Sequence, residues 1–180
     1  MASRMSKKTR LILVIVIIAV VAIVGIALSC SCSRPADSTL SIITWNETTL
    51  SELEGTPVVL NFWSTSCYWC KKQLPYLENV AQQSEGEIEV IAINIGESAS
   101  RIQSSLQSIF SYEPTMTIAL DSNGEAFVDY CLAYNNTRGA IPFTLFVDSE
   151  GIVEYVKIGA FASEAVLWDT LHSVLGITVP

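Results

Sequence analysis

Two cysteines three positions apart, in Cys67-Tyr68-Trp69-Cys70, are the residues of this chain best placed to do chemistry. Their sulfurs can close a small disulfide ring and open it again, a two-electron cycle that can be passed to other thiols. The thiolate is the reactive form, and a thiol needs help to ionise at neutral pH. The flanking sequence offers that help. An apolar run ends at Phe62-Trp63, and Lys71-Lys72-Gln73-Leu74-Pro75-Tyr76-Leu77 reads as a helix beginning. A helix N-terminus carries partial positive charge, which favours the ionised sulfur.

Half a zinc site is the other use for such a pair, but the second half is missing: Cys131 stands alone and His172 is the only histidine. Copper delivery fails for the same want of a partner histidine. No metal ligand set is therefore assigned. Cys131 reads as a small buried hydrophobe, with a regulatory or substrate-like thiol as the sharper alternative. His172 falls on the last helical stretch and reads as a surface residue.

The elements that must position the dithiol follow from the apolar periods. Pro57 to Trp63 is short and almost wholly apolar, as in a strand buried on both faces. A helix is expected from Cys67 to about Gln83, with Pro75 kinking it or removing a backbone bond. Glu87 to Ile95 is the next strand, and Ser98 to Phe110 a helix capped by Ser98 or Ser100. Thr115 to Leu120 is a strand, and Asn123-Gly124 turns into a helix near Glu125 to Leu132. Phe143 to Val147 and Ile152 to Ile158 flank a four-residue hairpin loop. Ser163 opens a last helix with Val166, Leu167, Leu171, Val174 and Leu175 inward, ending at Gly176. The alternation implies an α/β domain with a mostly parallel sheet covered on both faces.

Ahead of this domain, Leu11 to Leu28 contains no charge and no proline. As a helix it spans about 27 Å, close to the hydrocarbon thickness of a bilayer. Arg4, Lys7, Lys8 and Arg10 precede it, so the positive-inside bias puts the N-terminus in the cytoplasm and the rest outside. The reading is a cytoplasmic basic tail at 1–10, a transmembrane signal anchor at 11–28, a Ser/Pro-rich tether at 29–41 and a domain at 42–180. A cleaved signal peptide and a lipoprotein signal acting at Cys30 are the alternatives, and each of them exports the domain. Cys32 shares the membrane-proximal position of Cys30.

Residues 36–180 hold five of the 10 basic side chains and all 18 acidic ones, a net −13. Such a domain is repelled by nucleic acid and anionic lipid headgroups, so nucleic-acid binding is excluded as its work.

The stretch Val59-Leu60-Asn61-Phe62-Trp63-Ser64-Thr65-Ser66-Cys67-Tyr68-Trp69-Cys70-Lys71-Lys72-Gln73-Leu74-Pro75 resembles the active-site segment of membrane-anchored thioredoxin-like proteins of the TlpA/ResA type. Leu50 to Gly55, Asn94-Ile95-Gly96-Glu97-Ser98 and Gly139-Ala140-Ile141-Pro142-Phe143-Thr144 resemble further family motifs in the same order. The likeness covers about Thr49 to Gly176. It implies a thioredoxin-like fold, a central mixed sheet flanked by helices behind one N-terminal transmembrane helix, and a redox-active disulfide with no other cofactor.

By the same resemblance, Cys67 is the exposed nucleophile and Cys70 the resolving thiol. Pro142 is cis and faces the dithiol, leaving the Ile141 backbone to pair with an extended substrate. Trp63 packs beside the dithiol, with an ordinary core tryptophan as its plain alternative. Lys71 and Lys72 add to thiolate stabilisation or are simply solvated.

The chain departs from the family pattern at several places. Ser66 stands where a Trp is frequent, and Tyr68-Trp69 where a Pro is frequent. Gln73 replaces a Glu, and Asn61 stands where thioredoxins bury an Asp. Neither amide can take a proton, so acid–base work at these two positions is absent.

The leading reading is an extracytoplasmic thiol–disulfide reductase. In relatives that role includes keeping apocytochrome c cysteines reduced with electrons from a membrane thiol donor. A disulfide-introducing oxidase uses the same residues. A peroxiredoxin needs Pro-x-x-x-Thr-x-x-Cys, where this chain has Leu60 and Ser64; Arg138 could imitate its arginine. A binding module with idle cysteines is the non-enzymatic competitor.

Overall fold

The computed structural model describes residues 55–177 and the backbone of two short strands before them, β1 (Leu40–Ile42) and β2 (Glu47–Thr48). The anchor expected at 11–28, Cys30, Cys32 and most of the expected tether and lead-in segment lie outside the described residues. Among the described residues no helix is long and apolar enough to cross a membrane.

From Val58 the order is β3 (Val58–Trp63), α1 (Tyr68–Gln83), β4 (Glu89–Ile95), α2 (Ala99–Ile109), β5 (Thr117–Asp121), α3 (Glu125–Ala133), β6 (Phe143–Val147), β7 (Val153–Ile158) and α4 (Glu164–Leu175). The sheet runs β2-β1-β5-β4-β3-β6-β7. Only β3/β4 and β4/β5 are parallel, so the sheet is mixed rather than mostly parallel. The cause lies in the connections. Each crossover through α1 and α2 returns the chain in the same direction, whereas α3 delivers β6 to the far side of β3 running the opposite way.

Every residue of β3 is buried. Its period-two alternation divides them between two cores. Val59 and Trp63 join Leu74, Leu77 and Val80 of α1, Ile102 of α2 and Leu167 and Leu171 of α4. Val58, Leu60 and Phe62 join Ala126, Tyr130 and Cys131 of α3 on the opposite face. The strand that leads to Cys67 is thus held by hydrogen bonds on both edges and by packing on both faces.

Two local expectations need correction. Val166 is exposed, because Leu167 and Leu171 set the buried stripe of α4 and a neighbouring residue points roughly 100° away. β7 begins at Val153 rather than Ile152, and a register shift between Phe146 and Val147 sets Val147 opposite Val153. The Asp148 carboxylate then holds the longer turn by accepting from the Glu150 and Ile152 N–H groups, each at 2.9 Å. Pro75 sits inside α1, which continues through it, and having no N–H it withholds one backbone bond from the first turns, as expected. Both ends of α4 are as read: Ser163 caps its start by accepting from the Val166 N–H, and Gly176 ends it at φ 69°, in left-handed backbone that glycine takes without a Cβ clash.

Candidate active site

Cys67 is the N-cap of α1, with extended backbone at φ −81° and ψ 109°. Its sulfur accepts the Cys70 N–H at 3.0 Å, the place a serine hydroxyl fills in an ordinary cap. A turn closed by the Cys67 N–H on the Ser64 carbonyl, at 3.2 Å, brings the chain from β3 into this position. Cys67 and Cys70 form a disulfide with Cα atoms 5.2 Å apart. Cys67 is half-buried, while Cys70 is fully buried in the core with Trp63 and Leu74. Once the bond opens, the N–H that now caps against Cys67 faces a sulfur able to carry charge, and hydrogen bonding to the charged form favours it. The asymmetry leaves one sulfur within reach of an approaching molecule and the other behind it.

The Ile141–Pro142 peptide is cis. The Ile141 carbonyl oxygen lies 3.9 Å from the Cys67 sulfur. The β3/β6 ladder stops at Phe62 opposite Phe143, so Ile141 lies past its last paired position and beside the dithiol. Tyr68 and Trp69 remain 60% and 63% exposed, which for such large rings marks the rim of the site as an apolar contact surface. Their rings meet edge to face at 5.2 Å. The Lys72 ammonium sits 5.8 Å from the Tyr68 ring centre, and Lys71 is half-buried in the same turn.

Beneath the dithiol lies a polar layer that does not titrate. Asn61 on β3 donates to the Thr144 hydroxyl at 2.9 Å, and Gln73 on α1 donates to the same oxygen at 3.0 Å. The Gln73 carbonyl oxygen accepts the Phe161 N–H at 2.9 Å. All three polar side chains are buried, and Asn61 Oδ1 and Trp63 Nε1 have no hydrogen-bond partner among the described residues. Asn61 and Gln73 were singled out from the sequence. Thr144, their common acceptor, was not, although a threonine in the apolar run Phe143 to Val147 signals a buried polar group in need of a partner.

A second cluster holds the turn just before Cys67. The Glu97 carboxylate accepts the Thr65 N–H at 2.7 Å, the Thr65 hydroxyl at 2.6 Å and the Asn94 amide at 2.8 Å. Arg101 Nε lies 3.1 Å from Glu97 and donates to Thr65 Oγ1 at 3.0 Å. Burial works against this carboxylate. The hydrogen bonds from Thr65 and Asn94, with the Arg101 charge, outweigh it and hold the carboxyl below its ordinary range. Glu97 falls in Asn94-Ile95-Gly96-Glu97-Ser98, a stretch that resembles a family motif, but no local sequence signal assigns it a role.

The remaining candidates are distant or exposed. Cys131 is buried on the α3 face of the sheet, where desolvation pushes its thiol pKa up against a hydrogen bond with Asn136. His172 and Arg138 are exposed. Glu78, unremarked in the sequence, is fully buried in α1 and accepts the Thr115 and Met116 N–H groups at 2.8 and 3.0 Å.

With this geometry in hand, the chain can be set beside known proteins. It is 29% identical over 126 residues to the thiol-disulfide oxidoreductase ResA of Bacillus subtilis, covering 69% of this chain and 65% of that protein. With ResA of Oceanobacillus iheyensis the identity is 33% over 112 residues, 62% of this chain and 54% of the relative. The chain therefore spans less than two thirds of the length of these relatives. Among solved structures it resembles StoA of Bacillus subtilis at 25% identity and TM-score 0.57, covering 74% of this chain and 94% of that one. A thiol:disulfide interchange protein DsbE from Chlorobium tepidum shares the fold at TM-score 0.66 and 21% identity, covering 79% and 96%. These likenesses agree with the thioredoxin-like, ResA-type pattern seen in the active-site stretch. The AhpC/TSA family matches residues 34–156, more than half of the chain, and the chain belongs to that family.

Proposed function

We propose that the chain is an extracytoplasmic, membrane-tethered thiol–disulfide oxidoreductase that reduces protein disulfides through Cys67 and Cys70. The observation that carries this reading is the Cys67–Cys70 disulfide at the mouth of α1, with one sulfur reachable and the other buried behind it. The ResA relatives bear the name of this activity.

In the reduced protein the Cys67 thiolate attacks a substrate disulfide. One substrate sulfur leaves as a thiol and the other stays in a mixed disulfide with Cys67. Cys70 then attacks Cys67, releasing the second substrate thiol and closing the ring. Two electrons pass to the substrate, and the ring itself is the redox centre, with no further cofactor invoked. Ile141, past the end of the β-ladder and next to the sulfur, offers backbone groups to an extended substrate strand. Tyr68 and Trp69 supply apolar contact beside it.

The anchoring reading keeps the tail at 1–10 in the cytoplasm, the span at 11–28 in the membrane and the domain at 42–180 outside, supported by the apolar run and its basic flank. A membrane thiol donor would return electrons to the disulfide, and apocytochrome c is the substrate that the TlpA/ResA resemblance suggests.

Substitution supplies the test. Cys67→Ala abolishes exchange, and Cys70→Ala accumulates a mixed disulfide with the natural partner, which can be isolated and identified. Full function in Cys67→Ala would leave only a binding module. Direction is read from the reduction potential: near about −270 mV for a reductase, near about −120 mV for an oxidase.

A further inference from the structure

Ser64, Thr65 and Ser66 join the end of β3 to Cys67, and they decide where the outer sulfur stands. Within this bend the Cys67 N–H closes on the Ser64 carbonyl at 3.2 Å, and the Ser64 and Ser66 hydroxyls meet at 3.1 Å. Those two contacts are internal to the bend and tie it to no other element. Thr65 makes that tie. Its N–H and its hydroxyl both go to the Glu97 carboxylate, at 2.7 and 2.6 Å, and Glu97 belongs to the link between β4 and α2. Gly96 turns the chain there at φ 66° and fixes the turn by donating to the Asp121 carbonyl at 2.8 Å.

The same carboxylate also braces the inner side. It accepts the Asn94 amide at 2.8 Å, and Asn94 is registered beside Trp63, which packs in the core with Cys70. A lone carboxylate on this turn would oppose ionisation of the thiol, because like charges disfavour each other. Arg101 removes the objection: it stands 3.1 Å from Glu97 and donates to the Thr65 hydroxyl at 3.0 Å, so the pair is neutral. Its influence on the sulfur is through position and not field. Position matters because the Cys67 sulfur meets the Cys70 N–H only while the bend delivers it to the N-cap of α1.

We infer that Glu97 is a positioning residue for the attacking sulfur: by holding the Thr65 N–H and hydroxyl it fixes the bend that sets Cys67 against the Cys70 N–H, and so governs how fast Cys67 attacks. The inference rests on the exchange reading above and adds to it a residue outside the CxxC segment. Glu97 acts through Thr65 and takes no part in the bond changes, which stay with Cys67 and Cys70.

The test uses the full chain in detergent, reduced beforehand with dithiothreitol and freed of it. Iodoacetamide is added across a range of pH, and alkylation at Cys67 is followed by mass spectrometry, which separates it from the other cysteines. Glu97→Ala with Arg101→Ala removes the tie while its two charge changes cancel. Alkylation of this double variant at pH 7 is expected to fall roughly tenfold, within the cost of misplacing a reacting group by about 1 Å. The midpoint of its pH profile should move up, because the sulfur has lost the N–H that favours its charged form. Arg101→Ala alone should slow the reaction less than about threefold, since Glu97 still holds Thr65. Glu89→Ala is the comparison for stability and net charge. It removes a carboxylate that accepts the Thr117 hydroxyl at the other end of β4, about 20 Å away, and should leave the Cys67 rate and profile unchanged. Urea unfolding shows which variants are folded, and Glu97→Gln with Arg101→Gln, equally neutral and milder, replaces the alanine pair if that pair is not. A double variant with the parent's rate and profile overturns the inference. So does a profile moved to lower pH, which is a field effect, or an equal slowing in Glu89→Ala, which is a stability effect. The exchange reading is judged on the parent alone: it is lost if the parent reduces no disulfide-bridged peptide and its Cys67 does not alkylate.

Discussion

On one side of the dithiol the protein keeps a carboxylate charged, and on the other it keeps every group neutral. Glu97 lies at the rim, half-buried, and is surrounded by donors: two from Thr65, one from Asn94 and the guanidinium of Arg101. Asn61, Gln73 and Thr144 lie beneath the dithiol with no exposed surface to speak of, and they make hydrogen bonds without charge. The difference follows from access to water. A charge at the rim can be solvated in part and paired for the rest, whereas an isolated charge in the dry layer would cost several kcal/mol. Proton traffic at the inner sulfur thus has no buried acid to pass through at these positions.

Forcing an acid into the neutral layer is the largest way to break that contrast. Gln73→Glu should fold with its new carboxyl protonated and its pKa raised by burial. The unfolded chain ionises the same group from about pH 4.3. Stability should therefore fall as pH rises above that value, by about 3 kcal/mol if burial raises the pKa by about two units. Urea midpoints at pH 4 and pH 8 measure it, and a variant equally stable at both would end the idea of a dry layer.

Thr144→Val attacks the same layer more gently. It removes the oxygen shared by two amides and should cost about 2 kcal/mol through orphaned donors. An unchanged midpoint would mean that the Asn61 and Gln73 amides find other partners.

At the rim, Glu97→Gln turns an acceptor of three hydrogen bonds and one ion pair into a mixed donor and acceptor, with an expected loss of about 1 kcal/mol. Because the Glu97 pKa is depressed, its contribution is present above the unfolded value and lost as pH falls through the folded one. The variant should accordingly lose less stability than the parent between pH 5 and pH 3. Arg101→Ala has the smallest expected effect, under about 0.5 kcal/mol, because the side chain is 64% exposed and its ion pair is screened. A loss of 2 kcal/mol there would show that the rim behaves like the interior.

The contrast also marks what the sequence could disclose. The dithiol, the strand before it and the helix after it are local patterns, and each was legible: CxxC spacing, an apolar run, a stripe of Leu74, Leu77 and Val80. The cis Ile141–Pro142 bond came from family resemblance. What was missed joins residues far apart in the chain. Thr144 meets Asn61 across 83 positions, Phe161 meets Gln73 across 88, and Glu97 meets Thr65 across 32. Those meetings depend on strand register and on α3 carrying the chain to the far side of β3, neither of which leaves a short-range signature. The strands at Leu40–Ile42 and Glu47–Thr48 were missed for a related reason, since segments of two or three residues carry no period.

Glu78 gives the dithiol helix a fixed point. Its carboxylate, two turns beyond Cys70, grips consecutive amides ahead of β5, so that α1 is pinned to the sheet well below its redox-active tip. The turn ahead of Cys67 is tied as well, by Glu97 through Thr65. The ring therefore sits between two moorings, one on each side of it along the chain, and sulfur exchange takes place at a tip whose approaches are both made fast.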